Sequence, residues 1–314
     1  MKIPKIPILF MGTPHFAALA LVGLVEAGFN VTSVVCRPDG KSGRGGTLTP
    51  PEVKIEAKRH GIHVFQPENK AELTKIVQKL KPELIVVAAY GMIVSKEVLE
   101  TPKYGALNIH GSLLPKYRGA SPIVEAILNG DKETGITVMK MSVGMDEGPI
   151  ITKHKLLITN DDTTESLTKK MAELGARAII ETIPSWVSGE LKETPQDNEK
   201  ATYCRKITKE DGHIDWNKSA EQIERMVRAY QPWPTAYTFV GDMRIKILQA
   251  QLCEKDCDAS KSAVGAFHFG TGHICVVTGE GVLKILELQP EGKRKMLARD
   301  FINGNAKLNG AKLE

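Results

Sequence analysis

The first half of the chain alternates short, almost unbroken apolar runs with stretches in which apolar residues recur every three or four positions. Residues 6–11, 31–35, 63–65 and 84–89 are of the first kind and read as strands buried on both faces. Residues 14–26 carry Leu19, Leu21, Val22, Leu24 and Val25 and stop before Gly28, as a helix ended by glycine does. Shorter helices are predicted at 52–59 and 70–80. Such alternation predicts an α/β fold: a Rossmann-like, mostly parallel sheet with helices on both faces. Further apolar runs at 134–141 and 150–157 precede a long helix over 164–187, with Leu167, Met171, Leu174, Ala178 and Ile179 at helical spacing and Gly189 behind it.

From 190 to 201 this periodicity disappears and polar residues take over, which predicts a linker, placed at 190–207. Beyond it, one helix near 219–229 is followed by short runs at 236–239, 244–248, 265–269, 274–277 and 283–288, separated by turn residues. Short strands of this kind predict a small, OB-like β-barrel. The expected organisation is an N-terminal domain over 1–189, the linker, and a C-terminal barrel over 208–314.

A chain of 314 residues, 42% of them hydrophobic, suffices for two ordinary domains with a sizeable core. Lys plus Arg exceed Asp plus Glu by 42 to 37, a net charge of +5 too mild to imply a nucleic-acid partner by itself. Five scattered cysteines, at 36, 204, 253, 257 and 275, argue against a disulfide framework and for a reducing compartment. Cys253 and Cys257 lack the second ligand pair a structural zinc requires, so no metal is expected. The apolar run after the basic N-terminus is too short for a signal segment and no window reaches the length of a membrane span; a cytoplasmic protein is expected. Nicotinamide dinucleotide is not expected either, because Gly12-Thr13-Pro14-His15-Phe16-Ala17 lacks the second and third glycines of that fingerprint. Gly40-Lys41-Ser42 has no glycine five positions earlier and no helix behind it, so it is no P-loop.

Candidate chemistry concentrates between residues 107 and 123. Asn108 and His110 lie two apart in an apolar run, so a strand presents both on one face. The chain then breaks at Gly111-Ser112, crosses Pro115 and Lys116-Tyr117-Arg118-Gly119, and re-enters helix at Ser121-Pro122, an N-cap followed by proline at the first helical position. A second glycine-bracketed loop, residues 141–149, brings Asp146 after another apolar run. Alone, a histidine at a strand end is most often structural and Asp146 caps a turn. Together, an amide, an imidazole and a carboxylate suit acyl-type transfer. Residues 37–51 form a Gly- and Pro-rich stretch carrying Arg37, Lys41 and Arg44 against Asp39; composition reads it as a surface insertion, its place at a strand end as a loop over an anionic substrate.

The pattern Asn108-x-His110, then Ser112-Leu113-Leu114-Pro115-x-Tyr117-Arg118-Gly119-Ala120-x-Pro122-Ile123, with Asp146 in Gly144-x-Asp146-x-Gly148, resembles the 10-formyltetrahydrofolate-dependent formyltransferases. Residues 10–14, Gly43-Arg44-Gly45, Leu48-Thr49-Pro50 and Gln231-Pro232-Trp233-Pro234 extend the resemblance, over most of the chain, to those that act on tRNA. The resemblance implies catalysis by Asn108, His110 and Asp146 and a co-substrate, 10-formyltetrahydrofolate, held by Ser112, Leu113, Leu114 and Pro115 and by a wall at Tyr90, Gly91 and Met92. It further implies initiator methionyl-tRNA as acceptor, met by Arg37, Lys41 and Arg44 and by the C-terminal barrel. A monomer is expected. Lys293-Arg294-Lys295 reads equally as a solvated corner or an RNA contact, and the resemblance favours RNA. A formyltransferase for amino sugars or ribonucleotides, a folate-dependent hydrolase and a non-enzymatic RNA-binding protein are the alternatives.

Overall fold

The computed structural model describes residues 3–42, 47–253 and 262–314; Arg44 and Cys257, together with the side chain of Lys41, lie outside the described residues. Its first elements are β1 (Ile8–Gly12), α1 (His15–Glu26), β2 (Val31–Val35), β3 (Gly40–Ser42), β4 (Thr47–Thr49), α2 (Glu52–Arg59), β5 (His63–Phe65), α3 (Lys70–Leu80), β6 (Leu84–Ala88), α4 (Lys96–Glu100) and β7 (Ala106–His110). There follow β8 (Arg118–Gly119), α5 (Pro122–Leu128), β9 (Glu133–Lys140), β10 (Ile150–Leu157), α6 (Thr164–Val187) and β11 (Tyr203–Cys204). The last part holds α7 (Ala220–Ala229), β12 (Tyr237–Val240), β13 (Met243–Leu252), β14 (Phe267–Phe269), β15 (Ile274–Val277), β16 (Val282–Pro290), β17 (Met296–Leu297) and α8 (Ala298–Gly304).

A seven-stranded sheet in the order β10-β9-β7-β6-β1-β2-β5 forms the core of the first unit. Strands β1 and β6 are buried at every residue, which their unbroken apolar sequences permit only if both faces are covered. On one face Leu9, Met11, Ile85 and Val87 pack against Leu73 and Val77 of α3 and Val98 of α4. Strands β5, β2, β1, β6 and β7 run parallel, whereas β9 is antiparallel to both β7 and β10. The apolar runs at 134–141 and 150–157 are thus an antiparallel pair. Their connection, 141–149, is too short for the crossover a parallel pair requires.

The second unit holds a curled antiparallel sheet in the order β12-β13-β16-β15-β14, with β17 on β16. Its two edges meet the last residues of the chain. Phe267 N donates to Ala311 O (3.0 Å) and Leu313 N to Gly265 O (2.9 Å), while Phe239 and Glu314 exchange backbone hydrogen bonds at 3.0 Å. The tail therefore satisfies edge groups on both sides of the expected barrel. Helix α7 in this unit starts in a capping box: Ser219 Oγ accepts from Gln222 N and Gln222 Oε1 from Ser219 N, each at 3.2 Å. Ser219→Ala will cost about 1 kcal/mol of stability, read from the denaturant midpoint, and leave turnover unchanged.

Contacts divide the chain into one unit of Met1–Pro122, Glu133–Leu157 and Thr168–Cys204 and a second of Ile123–Lys132, Ile158–Leu167 and Arg205–Glu314. Much of the stretch expected as a linker belongs to the first unit, where Thr194 bridges Ile150 and β11 pairs with β8. No helix among the described residues is long and apolar enough to cross a membrane.

Candidate active site

Strand β1 pairs with β2 on one side and β6 on the other, so the carboxyl ends of β1 and β6 flank the switch point where open α/β sheets bind ligands. Strand β7, beside β6, delivers Asn108, half-buried, and His110, 5% exposed. The Nε2 of His110 donates to the Tyr117 carbonyl at 3.0 Å. Its Nδ1 lies 3.6 Å from Asp146 Oδ1, too long for a hydrogen bond but within reach of a charge. The other carboxylate oxygen, Oδ2, accepts from Gly119 N at 2.9 Å. No described residue hydrogen-bonds the Asn108 amide, so it is the donor of the set that stands ready for another oxygen. Asp146 stands on a separate segment from Asn108 and His110, and the fold brings it beside His110.

Three non-glycine residues at this end of the sheet take the left-handed backbone: Ala89 (φ 43°), Tyr117 (φ 58°) and Asp146 (φ 53°). Each such residue costs on the order of 1–3 kcal/mol and persists only where its surroundings enforce it. Tyr117 and Asp146 adjoin the groups that hold His110. The loop after β7 is tied from below by Thr137 of β9, which is fully buried; its Oγ1 donates to Ser112 O (2.7 Å) and accepts from Leu114 N (3.0 Å). Ser112 Oγ in turn donates to Lys116 O at 2.5 Å.

The residues expected to hold folate divide by position. Leu114 is fully buried against Met139 and Ile150, and Tyr90 lies in the core, where burial pushes its phenol up to about 12 and keeps it neutral. Leu113, Pro115 and Met92 are half-buried and Gly91 is exposed, so the surface there is made by Leu113, Pro115 and the chain at 91–92. Thr13 ties the strand ends together: its Oγ1 donates to Tyr90 O (2.9 Å) and accepts from Arg37 N (3.4 Å).

Residues 37–51 are not a structureless insertion over their described part. Strands β3 and β4 pair antiparallel, and the base is held by Lys54, whose Nζ sits 2.7 Å from Asp39 Oδ1, and by Gln66, which donates to Arg37 O and Asp39. The Lys54 and Gln66 hydrogen bonds hold the Asp39 carboxyl below its usual range. Among the described residues no group of three His, Cys, Asp or Glu is arranged to hold a metal. A cleft of about 1330 Å³ in the second unit contains none of Asn108, His110 and Asp146; the α7 charges that line it are paired as Arg225–Glu221 and Arg228–Glu224.

Thr13 and Arg118 stand in the pattern that carries the resemblance but were given no role by it, and no pattern picked out Thr137 or Gln196. Arg118 is 1% exposed despite its charge, and Gln196 hydrogen-bonds both Arg118 and the Asp146 loop. A lone Thr inside an apolar run was the one available signal for Thr137. Nothing in a polar stretch marks Gln196.

An α/β sheet with an amide, an imidazole and a carboxylate converging beside its switch point defines a group-transfer enzyme. The Formyl transferase family matches residues 4–183, and its C-terminal domain matches residues 206–306. The chain is 45% identical over 302 residues to the methionyl-tRNA formyltransferase of Halalkalibacterium halodurans, covering 95% of this chain and 94% of that one. It belongs to the methionyl-tRNA formyltransferase family. Its fold is also that of WlaRD, a sugar 3N-formyl transferase solved in the presence of dTDP and 5-N-formyl-THF (TM-score 0.68, 20% identity, 93% of this chain and 100% of that one). It likewise matches HypX from Aquifex aeolicus in complex with tetrahydrofolic acid (TM-score 0.63, 17% identity, 98% of this chain), of which it spans about half, 48%.

Proposed function

We propose that this protein transfers the formyl group of 10-formyltetrahydrofolate to the α-amino group of methionine on initiator methionyl-tRNA. The observation that carries the reading is the end of β7, where Asn108 and His110 share one face and Asp146 lies 3.6 Å from His110, with no described residue hydrogen-bonding the Asn108 amide. The α-amine attacks the formyl carbon and the new C–N bond forms to give a tetrahedral centre; when that centre collapses the C–N10 bond breaks and N10 leaves protonated. Asn108 donates to the oxygen that becomes negative in the tetrahedral centre, and one such donor contributes about 3 kcal/mol. The His110–Asp146 pair takes the proton the amine releases and returns one to N10, so the two protons balance. The Tyr117 carbonyl engages Nε2, so Nδ1 is the ring nitrogen that faces Asp146. Leu113, Pro115 and the backbone at 90–92 form the folate side of the crevice.

The first unit, which extends as far as Cys204, carries the chemistry and residues 208–314 bind tRNA, in a monomeric cytoplasmic enzyme. Arg37, Lys41 and Arg44 meet the acceptor end. Formyl transfer from 10-formyltetrahydrofolate to methionyl-tRNA, with uncharged tRNA and an amino sugar as controls, tests the assignment; transfer to the amino sugar alone overturns it. The barrel and the hairpin are expected to act differently. Barrel affinity will fall steeply with salt, because each neutralised phosphate releases counterions, whereas Arg44→Ala will lower the rate of transfer as well as binding. Filter binding across a salt series and single-turnover kinetics separate the two effects. Full activity of Arg44→Ala removes the arginine from the site.

A further inference from the structure

Among the described residues Arg118 is the largest fully buried side chain, and it lies between the two residues that grip the catalytic pair: Tyr117, whose carbonyl receives His110, and Gly119, whose N–H binds Asp146. A buried guanidinium is costly unless its donors are met. Here they are met mostly by neutral oxygens from one stretch. Nε and Nη2 donate to Gln196 Oε1 at 3.0 and 2.9 Å, Nη2 to Asn198 Oδ1 at 2.8 Å and Nη1 to Tyr203 OH at 3.3 Å, with Glu147 Oε1 3.9 Å from Nη1. Gln196 then turns its amide nitrogen the other way, donating to Asp146 O and Gly148 O, both at 2.7 Å. Both its N–H groups and its oxygen are committed. One neutral side chain thus joins the segment that holds His110 to the loop that carries Asp146.

The Asp146 loop needs such an anchor. Val143 and Met145 at its tip are 68% and 63% exposed, so the loop has little core of its own, and Asp146 sits at a positive φ. The 3.6 Å separation from His110 leaves little margin, since a shift of about 1 Å at a catalytic group can cost on the order of 10²-fold in rate.

We propose that Gln196, fixed by the buried Arg118, is a positioning residue for the transfer reaction: it holds the Asp146 loop by two carbonyls so that the carboxylate faces His110. The proposal rests on the catalytic reading of His110 and Asp146. Gln196→Glu is the discriminating variant, because a carboxylate still accepts from Arg118 but cannot donate to the two carbonyls. The expected result is a fall in kcat of about 10–100-fold, with KM for folate and for tRNA within about 2-fold and the thermal midpoint preserved. Tyr203→Phe, which trims an Arg118 contact and leaves the carbonyl grip intact, is expected to keep kcat within about 2-fold. In an Asp146→Asn background Gln196→Glu should add less than about 3-fold, because the group being positioned is already disabled. An undiminished further loss in that background, an unchanged kcat, or an effect confined to KM overturns the proposal. If Gln196→Glu fails to fold, Gln196→Ala goes through the same cycle with turnover taken per folded molecule and the same outcomes in kcat and KM, its lower midpoint reflecting the Arg118 donors it leaves unmet. Wild-type turnover in Asp146→Asn alone instead overturns the catalytic reading, which separates the two failures.

Discussion

Asn108→Ala will lower turnover about 10²–10³-fold, and His110→Ala and Asp146→Asn about 10²–10⁴-fold, with folate still bound. The three differ in what else they disturb. Asn108 is half-buried and its amide has no partner among the described residues, so truncation strands no buried group and stability should change by less than about 0.5 kcal/mol. Its loss of rate is then close to a pure measure of the donor. His110 is 5% exposed and bonded to Tyr117 O, so its removal leaves a small cavity and leaves that carbonyl the weaker Cys204 thiol donor at 3.6 Å, at a cost of about 1–3 kcal/mol; turnover has to be taken per folded molecule. Asn is the right replacement at 146 because asparagine tolerates the observed φ of 53° and keeps an oxygen for Gly119 N while losing the charge. Single-turnover formylation beside equilibrium folate titration makes the measurement. Any variant that keeps wild-type turnover leaves the catalytic unit, and one that loses folate as well belongs to the binding site instead.

What the sequence revealed follows from where its signals are strong. Spacing alone placed β2, α2, β5, α3, β10 and α6 at the bounds the structure has, because each is an apolar run or an amphipathic period closed by Gly, Pro or a polar cap. Asn108, His110 and Asp146 could be named because the first two interrupt an apolar run that breaks at Gly111 and the third lies in a glycine-bracketed loop after another. Strand direction was harder to read: an apolar run looks the same parallel or antiparallel, and only the short 141–149 connection argues for the observed pairing of β9 with β10. Residues 311–314 have no period at all, and their role depends on two strand edges far away in sequence. The same holds for Gln196. Its stretch is polar because its side chains serve Arg118 and two loop carbonyls, and from composition that is indistinguishable from a solvated tether.

Gly119→Ala will damage folding and catalysis together, and its comparison with Gly28→Ala shows why. Both glycines have positive φ, 121° and 85°, so alanine strains the backbone at either, by roughly 1–3 kcal/mol. At Gly28 a Cβ meets nothing within 4 Å. At Gly119 it would stand 2.2 Å from the carbonyl oxygen of Cys204, a backbone atom fixed by the pairing of β8 with β11, and neither strand can yield without breaking that pairing. The expected cost is therefore about 3 kcal/mol or more at 119, against the lower figure at 28. The displacement also moves Gly119 N off Asp146 Oδ2 and disturbs the neighbouring Arg118, so turnover per folded molecule should fall about 10²-fold, while Gly28→Ala keeps wild-type turnover. Denaturant unfolding and single-turnover kinetics on the two variants measure both effects. Equal stability losses at 119 and 28 would mean that β11 does not press on β8 as the structure has it. A stability loss at 119 with full turnover would mean that the Gly119 N–H is not what holds Asp146 toward His110.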